Sequence, residues 1–156
     1  MYELDLTETY IWERLNADPE LVAVWADRLF MGAPPQGTAH PLGLVTLQTA
    51  TDDLAGNNRR TAARVVYLIR TIFEGEDLAG GYAAASRVDA LLDRSTGDIA
   101  GPPSGTVLMC RRQGMFSLVE FPQGRRLNHR GAFFEFLTQG TPTVAGRNVT
   151  SGAKPA

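Results

Sequence analysis

The stretch ARVVYLIRTIF, from Ala63 to Phe73, decides the fold class of this 156-residue chain. Its residues fall into two alternating sets, and both sets are rich in β-branched, aromatic and other large apolar side chains. Charged residues occur only at Arg64 and Arg70, so the middle of the stretch is apolar on both faces. Such a run predicts either a strand at the centre of a sheet or a strand whose outer face meets another subunit.

Strands are also predicted on both sides of this stretch. Two precede it and three follow it, at Arg28–Met31, Leu42–Thr51, Thr106–Arg112, Met115–Phe121 and Leu127–Thr138. The dipeptide Gln113-Gly114 predicts a tight hairpin between the third and fourth of these. Residues 52–61 and 95–105 are polar or rich in glycine and proline, which predicts long loops.

Helical periodicity appears in three places. The first helix is predicted to begin near Thr7, capped by Asp5 or Thr7, and to end before Pro19. A short second helix is predicted over Pro19–Ala26, and an amphipathic third one over Leu78–Arg94. Because strands outnumber helices and follow one another directly in the second half, the order predicts an α+β fold and not a doubly wound sheet.

Composition narrows the classes of function. The formal net charge is −2, which gives no global electrostatic reason for tight binding to nucleic acid. A single cysteine excludes an internal disulfide and any zinc site built from cysteines. No apolar run approaches the roughly 20 residues that a membrane span needs. We therefore expect a soluble protein made in the cytosol.

The residues that carry chemistry do not form a recognisable motif. His40 and His129 are the only histidines, and they lie in separate segments without spaced carboxylate partners. Cys110 lies in a strand pattern, where a small buried residue is the usual reading. The spacing of the glycines matches neither a dinucleotide-binding fingerprint nor a P-loop. We predict no catalytic residue, no cofactor and no metal site.

The segment RLFMGAPPQGTAHP, from Arg28 to Pro41, is unusual for an ordinary loop. A catalytic role for His40 lacks a partner group, and a merely flexible connector would not contain two adjacent prolines, which fix the backbone. A rigid arm with bends at Gly32 and Gly37 remains, and we predict that it contacts a neighbouring subunit or another protein.

Basic residues cluster at predicted strand ends and turns. Solvated turns explain them, but arginine is also favoured in ion pairs between subunits. Together with the arm they form the candidate assembly interface: Arg28, Phe30, Pro34, Pro35, Gln36, Arg59, Arg60, Arg111, Arg112, Arg125, Arg126, His129 and Arg130.

The order of these segments resembles a known family. The segments are ADPELVAVWADRLFMGAPPQGTAHPLGLVTL from Ala17, RVVYLIRTI from Arg64, YAAASRVDALLD from Tyr82 and RRLNHRGAFFEFLTQ from Arg125. Over about residues 5–139, the chain is similar to the tail-completion, or tail-terminator, proteins of long-tailed bacteriophages and of phage-derived tail-like particles. The loop that contains GPPSG and the residues after 139 depart from the family pattern.

This resemblance implies a mainly antiparallel sheet packed by helices on one face, in a domain over residues 1–139. The composition of residues 140–156, which are small, polar and rich in glycine and proline, predicts a flexible tail. The resemblance also implies a structural virion protein of the tail or neck, assembled in the host bacterial cytoplasm, with neither enzymatic activity nor a cofactor. Its expected partners are copies of itself in a hexameric ring, the major tail tube protein and a head-completion or connector protein. DNA would pass through the ring without specific binding, and no membrane is involved.

Other functions remain open from the sequence alone. A head-completion or connector protein of the neck would belong to the same machine but bind the portal side. A small cellular adaptor, a toxin–antitoxin module and a small hydrolase or nucleotide-binding enzyme are alternatives from other classes.

Overall fold

The predicted central strand lies in the middle of a six-stranded sheet. The computed structural model describes residues 2–54, 60–76 and 78–140. In chain order, its helices and strands are α1 (Tyr2–Asn16), α2 (Pro19–Trp25), β1 (Leu29–Met31), β2 (Leu42–Leu54), β3 (Arg60–Glu74), α3 (Ala79–Leu92), β4 (Gly97–Ile99), β5 (Gly105–Glu120) and β6 (Leu127–Gly140). The strand order is β1-β2-β3-β6-β5-β4, and every pair is antiparallel except β1–β2. This arrangement confirms the α+β prediction and the inner position of β3.

All three helices pack on one face of the sheet. The main core joins residues of α1, α2 and α3 to the strand residues that the register places on this face, including Tyr67 and Phe136. Tyr10 of α1 and Tyr67 of β3 both contact Phe136 edge to face, with ring centroids 6.3 and 6.2 Å apart. Each such contact contributes about 0.5–1.5 kcal/mol beyond the burial of its area. Among the described residues, no helix packs on the opposite side of the sheet, which we call the bare face.

Helix α2 shows why its short sequence is helical. Asp18 precedes it and accepts hydrogen bonds from the backbone N–H groups of Glu20 at 3.1 Å and Leu21 at 3.0 Å. Pro19 occupies the first helical position, where it interrupts no hydrogen bond. Arg87 of α3 donates to the other Asp18 oxygen at 2.6 and 2.9 Å, so one carboxylate joins two helices.

Helix α1 begins five residues before the position that the sequence predicted. Thr7 does not cap it, because it lies inside the helix and donates to the Glu3 carbonyl at 2.7 Å. Its hydroxyl also lies 2.9 Å from that of Thr138 on β6, and both residues are buried. Thr7 has the residue type of a helix cap, so the sequence alone predicted a cap where the structure has a buried hydroxyl with two partners.

The predicted hairpin at Gln113-Gly114 was wrong. β5 is one continuous strand, and the register against β6 shifts between Arg112 and Gly114 because the extra residue forms a bulge. The hairpin turn lies instead at residues 121–126 and contains a short 3₁₀ turn over Pro122–Gly124.

The two predicted long loops are shorter than expected. β4 lies inside the predicted 95–105 loop, where it pairs with the start of β5. β2 extends to Leu54 and β3 begins at Arg60, and residues 55–59 lie outside the described residues. Val22 of α2 is 40% exposed, whereas Leu21 and Trp25 of the same helix are buried.

Candidate assembly interface

The proline arm, which we define as residues 32–41, is held at both ends. Gly32 donates its backbone N–H to the Val45 carbonyl at 2.8 Å, and Arg28 donates its Nε–H to the Pro41 carbonyl at 2.9 Å. Gly32 and Gly37 have φ angles of +87° and +80°, which glycine adopts without strain, so both predicted bends are present.

The tip of the proline arm is accessible. Thr38 closes the tip by donating its hydroxyl to the Pro35 carbonyl at 2.6 Å. Pro35 and Gln36 are exposed and Pro34 is half-buried. Phe30, just before the arm, packs on a small apolar cluster of the bare face formed by Leu42, Leu44 and Ile72. The arm therefore presents exposed residues, Pro35 and Gln36 among them, on an anchored base.

The fold brings both histidines to the same end of the bare face, which the sequence reasoning missed. His40 Nδ1 lies 3.9 Å from Glu74, and His129 Nε2 lies 3.3 Å from Glu120. Burial lowers the pKa of His40, and burial followed by the nearby Arg70 charge lowers the pKa of His129. Both rings are consequently favoured as neutral near pH 7. Among the described residues, no three His, Cys, Asp or Glu side chains are grouped to hold a metal ion.

Most of the predicted interface arginines have partners within this chain. Arg111 pairs with Glu135 at 3.1 Å, Arg112 with Asp89 at 2.6 Å, and Arg125 forms a two-armed pair with Glu74. The carboxylates next to these three arginines therefore come from the same copy. A role for these arginines in assembly stays a prediction.

The remaining basic residues have different surroundings. Arg130 donates to the Tyr82 hydroxyl at 2.8 Å and lies over its ring at 4.8 Å, while Arg126 donates to the Asn128 side chain at 3.3 Å. Arg60 begins β3, and its side chain is outside the described part of the structure, as is the whole of Arg59.

A buried carboxylate on the bare face was not anticipated from the sequence. Glu135 is 8% exposed and accepts from Arg111 at 3.1 Å and from Gln113 at 2.7 Å. Arg64 lies 3.6 Å from it and also bonds to Asp53 at 3.1 Å. The only available signal was a single acidic residue within the aromatic run of β6.

The far half of β5 exposes large apolar side chains. Met115 is 82% exposed, Leu118 and Val119 are also on the surface, and Phe121, just after the end of β5, is 65% exposed. Met115 and Val119 lie on the helix side of the sheet, whereas Leu118, opposite His129, lies on the bare face. A groove of about 360 Å³ lies between this half of β5 and helix α3.

The single thiol is chemically inert in the fold. Cys110 is fully buried, and burial raises its pKa to about 12. A thiol with this pKa carries almost no thiolate at neutral pH, and the thiolate is the reactive form. Cys110 therefore acts as a core residue and not as a nucleophile.

Comparison with known proteins shows the fold. No protein-family profile matches the sequence, and no curated protein matches it. A solved chain of the "Virion of native gene transfer agent (GTA) particle" matches with a TM-score of 0.58 and 17% identity. The match covers 82% of this chain and 91% of the other, so the two share an architecture over most of their length.

Among the helices of the described residues, none has both the length and the apolar character that a membrane span requires.

Proposed function

We propose that the chain is a structural virion protein: a tail terminator that forms a ring on the completed tail tube, stops tube polymerisation and provides the surface that joins the head. The observation that carries the proposal is the fold shared with a gene transfer agent virion chain over most of both molecules. The matched chain belongs to a virion particle, and this likeness in fold is our reason for proposing a virion role for the present chain.

The surfaces of the chain support the same function. A ring is a closed heterologous assembly, which needs two different complementary surfaces on each copy. The anchored proline arm, which connects β1 to β2, and the apolar far half of β5 are two distinct exposed features at separate places in the fold. We propose the predicted partners on this basis: other copies of the chain, the tail tube protein and a head-completion or connector protein.

Removal of the gene from the genome that encodes the particles tests the proposal. If the chain is a tail terminator, we expect the deletion strain to produce tails of uncontrolled length that do not join heads. We expect normal particles to be restored when the gene is supplied in trans. Tails of normal length that accumulate beside heads would favour the head-completion alternative. Normal complete particles in the deletion strain would contradict both.

Measurement of the purified protein adds a second test. Mass determination and negative-stain imaging are expected to show a ring of six copies, alone or at the end of isolated tail tubes. A chain that remains monomeric in both settings contradicts the proposed ring.

A further inference from the structure

The sheet has two long strands whose outer edges are only partly covered. In the described residues, β1 covers β2 only at Gly43–Val45, and β4 covers β5 only at 105–107. Two backbone hydrogen bonds of Cys110 extend the cover of β5 to that residue, since its carbonyl accepts from the Arg94 N–H and its own N–H donates to the Ser95 carbonyl. Among the described residues, no strand pairs with the outer side of residues 46–51 of β2 or of residues 114–120 of β5. Such edges present backbone donors and acceptors to another chain.

We propose that copies of this chain join head to tail through these edges, with residues 46–51 of one copy pairing with residues 116–120 of the next. The inference deepens the ring of the proposed function and rests on it. The occupant of each edge is thus a second copy of the same chain, which supplies the complementary edge.

The direction of the strands agrees with this pairing. Rotation about a ring axis keeps the direction of every strand along that axis and keeps the helices on the same side. Three successive antiparallel pairings, β2–β3, β3–β6 and β6–β5, make β2 and β5 run in opposite directions. The junction between copies is therefore antiparallel, like the sheet on either side of it.

The short edge strands set the offset between copies. Thr46 lies level with Leu68 of β3, whereas Glu120 lies level with Glu74. Pairing Thr46 with Glu120 therefore shifts the second copy by about six residues, or roughly 20 Å, along the strands. The nearest alternative offset that keeps the helices of both copies on the same side of the sheet is about four residues. That offset would place Val119 and Glu120 against the part of the β2 edge that β1 already covers.

This offset corresponds to an ordinary barrel geometry. One copy contributes four long strands, which span about 19 Å across the sheet. A shift of roughly 20 Å over that width requires strands tilted by about 45° to the ring axis, and closed sheets have tilts of about 35–45°. The free edges therefore lie where a closed ring needs them.

The side chains at the junction are suited to a strand pair. The proposed register places Leu47, which is 42% exposed, opposite Val119, which is 39% exposed. No Lys or Arg interrupts residues 46–51 or 114–120, although such charges commonly protect free edges. In the single copy, the Gln48 amide donates to the Thr46 carbonyl at 3.2 Å at the β2 bulge.

Disulfide trapping tests the register. The variant Ala50→Cys with Ser117→Cys places two thiols opposite each other across the junction, because the bulge at Gln48 adds one residue to β2 between Leu47 and Ala50. Within one copy these positions are about 14 Å apart across the sheet, because β3 and β6 lie between them, and roughly 20 Å apart along the strands, whereas a disulfide needs Cα atoms closer than about 7 Å. Under mild oxidation we expect a ladder of covalent oligomers that ends at the closed ring. Wild type keeps its buried Cys110 and is expected to remain uncrosslinked.

Matched variants separate the alternatives. Ala50→Cys with Met115→Cys reports the four-residue offset and is expected to give little product. Ala50→Cys or Ser117→Cys alone is expected to stay uncrosslinked, and strong dimers from either would show a symmetric contact and overturn the proposal. A ring of correct mass that the first pair does not crosslink would overturn the edge pairing while leaving the proposed function intact. Absence of any ring would contradict both.

Charge substitution gives an independent readout. Leu47→Lys and Val119→Glu are each expected to abolish the ring while unfolding as wild type does, because both side chains are exposed in the single copy. The double variant brings the two charges together across the junction, and we expect it to restore the ring. Rings that persist in both single variants would overturn the proposal.

Discussion

The Asp18–Arg87 pair allows a quantitative test of how the helical layer is fixed. The Asp18 side chain is 4% exposed, caps α2 through two backbone N–H groups, and accepts two further bonds from Arg87. Removing a cap costs about 1 kcal/mol, and hydrogen bonds that involve charged groups contribute about 1.5–3 kcal/mol. We expect Asp18→Ala to lower the free energy of unfolding by about 2.5–4 kcal/mol.

The variant Asp18→Asn separates the contribution of the helix cap from that of the Arg87 pair. Asparagine caps helices as well as aspartate does, but its amide –NH2 group cannot accept from Arg87, so the cap is kept, the Arg87 pair is lost and the expected cost is about 1.5–3 kcal/mol. A double-mutant cycle of Asp18→Asn with Arg87→Ala is expected to give a coupling energy of about 1–2 kcal/mol. The matched control is Glu20→Gln: Glu20 is 71% exposed and 3.7 Å from Arg87, and its loss is expected to cost less than about 0.5 kcal/mol.

The assay is urea unfolding at pH 7, since urea does not screen charges as guanidinium chloride does. Hydrogen bonds from Arg87, followed by those from the backbone, lower the pKa of Asp18 in the folded state. The coupling is therefore fully present above the unfolded pKa of about 3.9 and is lost as pH falls through the lower folded value. Equal costs for Asp18→Ala and Asp18→Asn, or a coupling near zero at pH 7, would refute the reasoning.

Three further outcomes are expected. Replacing Pro34 and Pro35 with glycine is expected to cost about 1–2 kcal/mol of stability yet strongly impair ring formation or tail joining; unchanged particle yields would contradict a docking role for the arm. Gly131→Ala places a Cβ 2.0 Å from the backbone oxygen of Ile69 and is expected to cost about 3 kcal/mol or more in urea unfolding, whereas Gly114→Ala meets nothing within 4 Å and is expected to cost less than about 1 kcal/mol. Cys110 is expected to react with a thiol reagent at pH 8 only after unfolding, and fast labelling of the native chain would show that it is accessible.

The sequence predicted those elements that local chemistry determines. The apolar middle of β3 identified an inner strand, and Pro19 marked the first residue of α2. The bends of the arm were also predictable, because glycine is the residue that adopts positive φ without strain. Each of these features depends on neighbouring residues in the chain.

The features that were missed depend on distant partners. Gln113-Gly114 has the composition of a tight turn, but β6 offers a pairing partner along the whole of β5, and the dipeptide becomes a bulge. Thr7 resembles a cap until Thr138 is brought beside it. The two histidines come to one region only through the pairing of β3 with β6 and the position of the arm. Pattern and propensity do not carry such information.

The order of the strands has a consequence for synthesis of the chain. β6 is the last of the six strands to leave the ribosome, yet it lies between β3 and β5 at the middle of the sheet. Until β6 emerges, β3 lacks one of its two neighbouring strands, and one edge of β3 and one edge of β5 stay unpaired. Unpaired edges of nascent chains are prone to aggregation. Chains that stop before Leu127 are therefore expected to be insoluble, and a copy becomes able to assemble only after its final strand has been made.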